Sequence, residues 1–115
     1  MEDFCLPLLR NLKTNEVVDV ARKKVIIGRH SGDDMTINDP KCSRGNTEVE
    51  FIAGKYFVRD RGSRNGTSLN GNPIKEPVQI NFGDKILIGA TEIKFQKTPE
   101  KVNIEITGYE IIAHN

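Results

Sequence analysis

Three short polar stretches carry residue types that could do chemistry: Gly28-Arg29, Ser43-Arg44-Gly45-Asn46 and Arg61-Gly62-Ser63-Arg64-Asn65-Gly66-Thr67. Arginine brings a permanent charge with forked donors. Serine and asparagine bring short, directional hydrogen bonds. Glycine lets backbone approach closely and frees N–H groups to form an anion nest. This is the equipment for gripping a phosphate dianion, with Arg29 and Arg44 reaching several oxygens and Ser43 adding a hydroxyl. Taken singly, each residue has an ordinary explanation. A turn arginine is a solvated charge, a loop serine is a capping residue, and Asn65-Gly66 is a hairpin dipeptide. Arg64 could simply face solvent beside Asp60.

The rest of the composition narrows the function. The chain has 115 residues, 37% hydrophobic and 29% charged, with a net charge of +1. One globular domain is expected. Balanced charge and few aromatics argue against a nucleic-acid partner. Cys5, Cys42, His30 and His114 lack metal-ligand spacing, and Asp33 and Asp34 read as solvated loop charges, so neither metal nor cofactor is expected. The two thiols are read as unlinked and reduced. No nucleophile–base pairing or nucleotide fingerprint suggests an enzyme. No apolar run is long enough for a bilayer, and no signal pattern is evident. The expected setting is cytoplasmic, with no membrane partner, and the Asn65-Gly66-Thr67 sequon is read as accidental.

What must position these stretches is a set of strands. Period-two or β-branched runs cover Cys5 to Leu12, Glu16 to Ala21, Lys24 to Gly28, Thr47 to Ile52, Lys55 to Asp60, Thr67 to Leu69, Val78 to Ile80, Lys85 to Ile88 and Glu92 to Gln96. Val49 and Phe51 alternate with Glu48 and Glu50, which places the glutamates on a polar face. Ile86, Ile88, Ile93 and Phe95 read as core anchors. Ala53-Gly54, Asn70-Gly71, Gly83-Asp84 and Gly89-Ala90 supply turns. No stretch shows a useful helical period. The spacing predicts an all-β, two-sheet sandwich of about ten to twelve short strands with the polar loops at one end.

These stretches, in this order, resemble the forkhead-associated (FHA) domain, a β-sandwich that binds phosphothreonine peptides. The matching residues are Gly28-Arg29, Ser43-Arg44, Ser63 to Thr67, Asn70-Gly71 and Gly83-Asp84-Lys85-Ile86-Leu87-Ile88-Gly89. The resemblance implies that Arg29 contacts the phosphate and nearby peptide, and that Ser43 and Arg44 hold phosphate oxygens. It implies that Asn65 bonds the peptide main chain and that Gly66 lets the loop turn beneath it. Arg64 joins the binding set where the family often has threonine. Gly28, Asn46, Gly66 and Thr67 would support the site. Asn46 stands where the family pattern has a histidine that braces the loops, and Thr47 replaces a small apolar residue.

The resemblance implies a non-catalytic module for phosphothreonine-peptide recognition in intracellular kinase-dependent signalling. The alternative is a phosphorylation-independent interaction or assembly scaffold on the same fold. Residues 1–98 are read as the domain. Residues 99–115, in which Val102, Ile104 and Ile106 alternate with polar neighbours, are read as an extension. That extension is either an extra edge strand or a tail that docks elsewhere, including a route to homo-oligomers.

Overall fold

The computed structural model describes residues 6–98. Cys5 and the expected strand or tail over residues 99–115 lie outside the described residues. Eleven strands follow one another: β1 Pro7–Asn11, β2 Val17–Asp19, β3 Lys24–Gly28, β4 Met35–Thr36, β5 Thr47–Ile52, β6 Lys55–Asp60, β7 Ser68–Leu69, β8 Asn72–Pro73, β9 Val78–Ile80, β10 Lys85–Ile88 and β11 Thr91–Lys97. The two short strands absent from the sequence reading are β4 and β8. With two residues each, neither is long enough to show a period.

The strands form two sheets, one in the order β2-β1-β11-β10-β7-β8 and the other β4-β3-β5-β6-β9. All the pairings are antiparallel except β3 with β4. The hairpin turns obey local chemistry. Ala53-Gly54 and Asn70-Gly71 both adopt positive φ at each residue (51° and 85°; 50° and 88°), the conformation that a two-residue turn between right-twisted strands demands.

The core is the space between the sheets. Val25, Val49 and Val58 lie opposite one another across β3, β5 and β6. They meet Leu9, Ile86, Ile88, Ile93 and Phe95 in a single buried cluster. All four apolar anchors read from β10 and β11 are buried. Phe95 closes one end, its ring 5.3 Å from Tyr56 and 4.9 Å from Phe82.

One strand face differs from its pattern. Glu48 belongs to the polar set of β5, yet it is only 3% exposed. Arg59, opposite it on β6, closes a 3.0 Å ion pair over it, and Arg61 approaches at 3.5 Å. The long arginine stems cover the carboxylate, so alternation places it correctly but underestimates its burial.

Replacing Phe95 with alanine would remove the ring that joins the two aromatic contacts. The expected cost is about 3–5 kcal/mol, read as a fall in the urea midpoint with little change in slope.

Candidate functional site

The three polar stretches converge at one end of the sandwich. β3 delivers Arg29 at its end, the β4–β5 loop carries Ser43 and Arg44, and the β6–β7 loop carries Arg64 and Asn65. These five residues, with Pro40, Lys41 and Cys42, line one open pocket of about 290 Å³.

Backbone contacts lock the loops together. The Arg29 N–H donates to the Ser43 carbonyl at 3.0 Å, and Arg29 Nε donates to the Cys42 carbonyl at 2.8 Å. The guanidinium is thereby aimed, and its terminal nitrogens have no hydrogen-bond partner among the described residues. The Arg64 N–H donates to Ser43 Oγ at 3.0 Å, so the serine's own proton can be given to an incoming oxygen. Asn65 Nδ2 donates to the Lys41 carbonyl at 2.9 Å, tying the β6–β7 loop to the β4–β5 loop.

Asn46 is the buried hinge of this arrangement, 1% exposed. Its Oδ1 accepts from the Ser43 N–H at 2.8 Å. Its Nδ2 faces Thr47 Oγ1 at 3.0 Å, Thr67 Oγ1 at 3.3 Å and the Gly66 carbonyl at 3.5 Å. One amide thus spans the β4–β5 and β6–β7 loops, with its acceptor and donor ends used separately. Thr47, the other departure from the family pattern, lies 2.8 Å from Thr67 through the two hydroxyls.

Thr67 in turn donates to Asp60 Oδ1 at 2.7 Å. Asp60 also accepts from Ser63 Oγ and from the N–H groups of Gly62 and Ser63. Burial pushes the Asp60 carboxyl upward, but the bonds from Ser63, Thr67 and Gly62 outweigh it and hold it below the usual range. Gly66, at φ 84°, donates its N–H to Ser63 Oγ at 2.9 Å.

Gly28 allows the strand end to touch the loop. A methyl group there would sit 2.4 Å from the Gly45 nitrogen and 2.8 Å from the Asn46 nitrogen. Both lie in the backbone between Arg44 and Thr47.

Asp34 is exposed, as expected of a solvated loop charge, whereas Asp33 is half-buried, and both accept backbone N–H groups. Asp33 Oδ2 accepts from the N–H groups of Gly45 and His30, and Asp34 Oδ2 accepts from Ile26 at 2.8 Å. They tie the β3–β4 loop to Ile26 of β3 and to Gly45 of the β4–β5 loop by accepting their backbone N–H groups. Asp39 likewise receives N–H groups from Ala90 and Lys41, which hold its carboxyl below the usual range. Lys41 is the pocket cation absent from the expected binding set. Its position two residues before Ser43 was the available signal. Burial, reinforced by the Asp39 charge, pushes the Cys42 thiol up to about 11, so it stays a neutral thiol under the pocket. Among the described residues, no group of three or more His, Cys, Asp or Glu is placed to hold a metal.

The FHA domain family model matches residues 25–89, more than half of the chain. The chain belongs to the FHA-domain family. It is 36% identical over 73 residues to the glycogen accumulation regulator GarA of Mycolicibacterium smegmatis, covering 64% of this chain and 46% of that protein. It is 36% identical over 72 residues to the oxoglutarate dehydrogenase inhibitor of Corynebacterium efficiens, covering 63% of this chain and 50% of that one. The chain therefore spans about half the length of the curated relatives it matches. A chain from a structural study of phosphothreonine-dependent FHA domain interactions superposes with a TM-score of 0.75 at 25% identity, covering 82% of this chain and 98% of its own. The FhaA FHA domain, solved in complex with the intracellular domain of another protein, gives 0.72 at 25% identity over 78% of this chain and 99% of its own.

Two outcomes follow from the geometry. Gly28→Ala is expected to cost about 1–3 kcal/mol by overpacking against backbone, seen as a lower thermal midpoint. Asp60 contributes stability that is complete above about pH 4 and is lost as pH falls through its depressed folded value. Asp60→Asn should therefore flatten the acid limb of a stability–pH curve measured by urea unfolding.

Proposed function

We propose that this chain is a non-catalytic module that binds phosphothreonine-containing segments of partner proteins. The observation that carries the reading is the convergence of Arg29, Ser43, Arg44, Arg64 and Asn65 on one pocket from three separate loops. The dianion is met by the free guanidinium nitrogens of Arg29, by Arg44 and by the Ser43 hydroxyl. Asn65 keeps its carbonyl oxygen and one amide proton for the peptide main chain. Gly28, Asn46, Gly66 and Thr67 hold the loops in place. Each hydrogen bond to a charged group contributes about 1.5–3 kcal/mol. Several of these, less the cost of ordering, give micromolar affinity, near −8 kcal/mol.

The named relatives support regulation rather than catalysis, since they are called a regulator and an inhibitor. The buried, neutral Cys42 offers no nucleophile. No helix among the described residues is long and apolar enough to cross a membrane. The setting that fits is intracellular, kinase-dependent signalling, with residues 1–98 forming the recognition domain and residues 99–115 an extension.

Titration with a phosphothreonine peptide library, against unphosphorylated and phosphoserine controls, tests this. Binding should favour phosphothreonine and weaken below about pH 6 as the phosphate takes up a proton. Arg29→Ala should lose about 2–5 kcal/mol of binding with its circular dichroism unchanged. Equal binding of the unphosphorylated peptides would instead favour a phosphorylation-independent scaffold.

A further inference from the structure

The two sheets treat charge on their solvent faces in opposite ways. On the five-stranded sheet, opposite signs face each other: Lys24 lies opposite Glu50, and Glu48 lies opposite Arg59. On the six-stranded sheet, Arg10 lies opposite Lys94, and Lys94 lies opposite Lys85. These three cations form one row across β1, β11 and β10. They alternate with the buried Leu9, Ile93, Phe95 and Ile86, so their side chains belong to the outward face.

Like charges directly opposite one another destabilise a sheet. Among the described residues, both ion pairs fall on Glu48, so none of the three cations in the row is in one. Arg10 makes a long 3.4 Å bond to the neutral Gln96. Exposed apolar residues flank the row. Val17, 43% exposed, lies opposite Arg10. Leu87, 36% exposed, lies opposite Glu92 in the adjoining row, with Leu12, 40% exposed, on the other side of Glu92. Among the described residues, Glu92 there and Asp19 beyond Leu8 are the acidic groups that the strand registers place on this side. The face shares no residue with the loop pocket.

The spacing selects a partner geometry. Neighbouring strands are about 4.8 Å apart, so the three charges span about 10 Å. A helix rises about 1.5 Å per residue. Carboxylates at i, i+3 or i+4, and i+7 therefore cover about 10.5 Å, at matching steps. A single line of three cations on a chain of net charge +1 suits discrete carboxylates better than the diffuse field of a lipid surface.

We propose that the outward face of the six-stranded sheet docks an acidic amphipathic helix of a partner protein. Its carboxylates would meet Arg10, Lys94 and Lys85, and its apolar side chains would cover Leu12, Val17 and Leu87. This second surface is independent of phosphopeptide recognition.

The test uses the full chain and a labelled helical peptide with glutamates at i, i+4 and i+7 among leucines. The control is a scramble of the same composition that spreads the glutamates around the helix. At low salt, fluorescence anisotropy should show the patterned helix binding at least about tenfold more tightly than the scramble. Amide shifts should map to β1, β10 and β11 and spare Ser43 to Asn46. Lys94→Glu should lose about tenfold in affinity while its thermal midpoint rises, because the substitution relieves the like-charge row. A merely damaged fold would not combine these two effects. Equal binding of the scramble, shifts confined to the pocket loops, or retained binding by Lys94→Glu would overturn the proposal. So would flotation with phosphatidylserine–phosphatidylcholine vesicles without helix binding, which would make the face a lipid contact.

Discussion

Cations do not gather at one rim unless something holds their backbones against mutual repulsion. In this molecule that restraint is a set of buried or half-buried acceptors that bind loop N–H groups. Asn46 accepts from Ser43, Asp33 accepts from Gly45, and Asp60 accepts from Gly62 and Ser63. None of these acceptors spends its charge on the arginines of the pocket. The carboxylates stabilise the turns through directional bonds, so the guanidinium groups remain available to an outside anion.

Asn46 shows how a different side chain can serve the position. An imidazole and a carboxamide both offer an acceptor and a donor on opposite ends of a planar group. Here the acceptor end holds the β4–β5 loop and the donor end reaches the β6–β7 loop. The neighbouring Thr47 hydroxyl extends the contact to Thr67, which an apolar residue could not do. Asn46 and Thr47 are thus two changes whose polar groups answer one another.

Charge is also managed away from the loops. Glu48 is buried beneath Arg59 and Arg61, so the arginine that opens the β6–β7 loop is neutralised from below. Arg61 Nη1 also lies 3.4 Å from the Gly45 carbonyl. The six-stranded sheet keeps its cations in a row with no such partner among the described residues. The molecule therefore presents two basic features of different design, one concave and made of loops, the other flat and made of strands.

Most of the strand framework was legible in the sequence. Lys24 to Gly28, Thr47 to Ile52, Lys55 to Asp60, Val78 to Ile80 and Lys85 to Ile88 keep their bounds, because period-two burial and positive-φ turn residues are local properties. The residue types of the pocket were legible too, since a phosphate site needs donors that few other tasks require together. Tertiary structure alone decided that Lys41 joins the pocket, that Asp33 and Asp34 accept N–H groups from Gly45 and Ile26, and that Glu48 is covered. It also decided the two-residue strands β4 and β8 and the cation row across β1, β11 and β10. Each depends on which distant segments become neighbours, and pairings such as Arg10 with Lys94 arise only when the chain has closed its sheets.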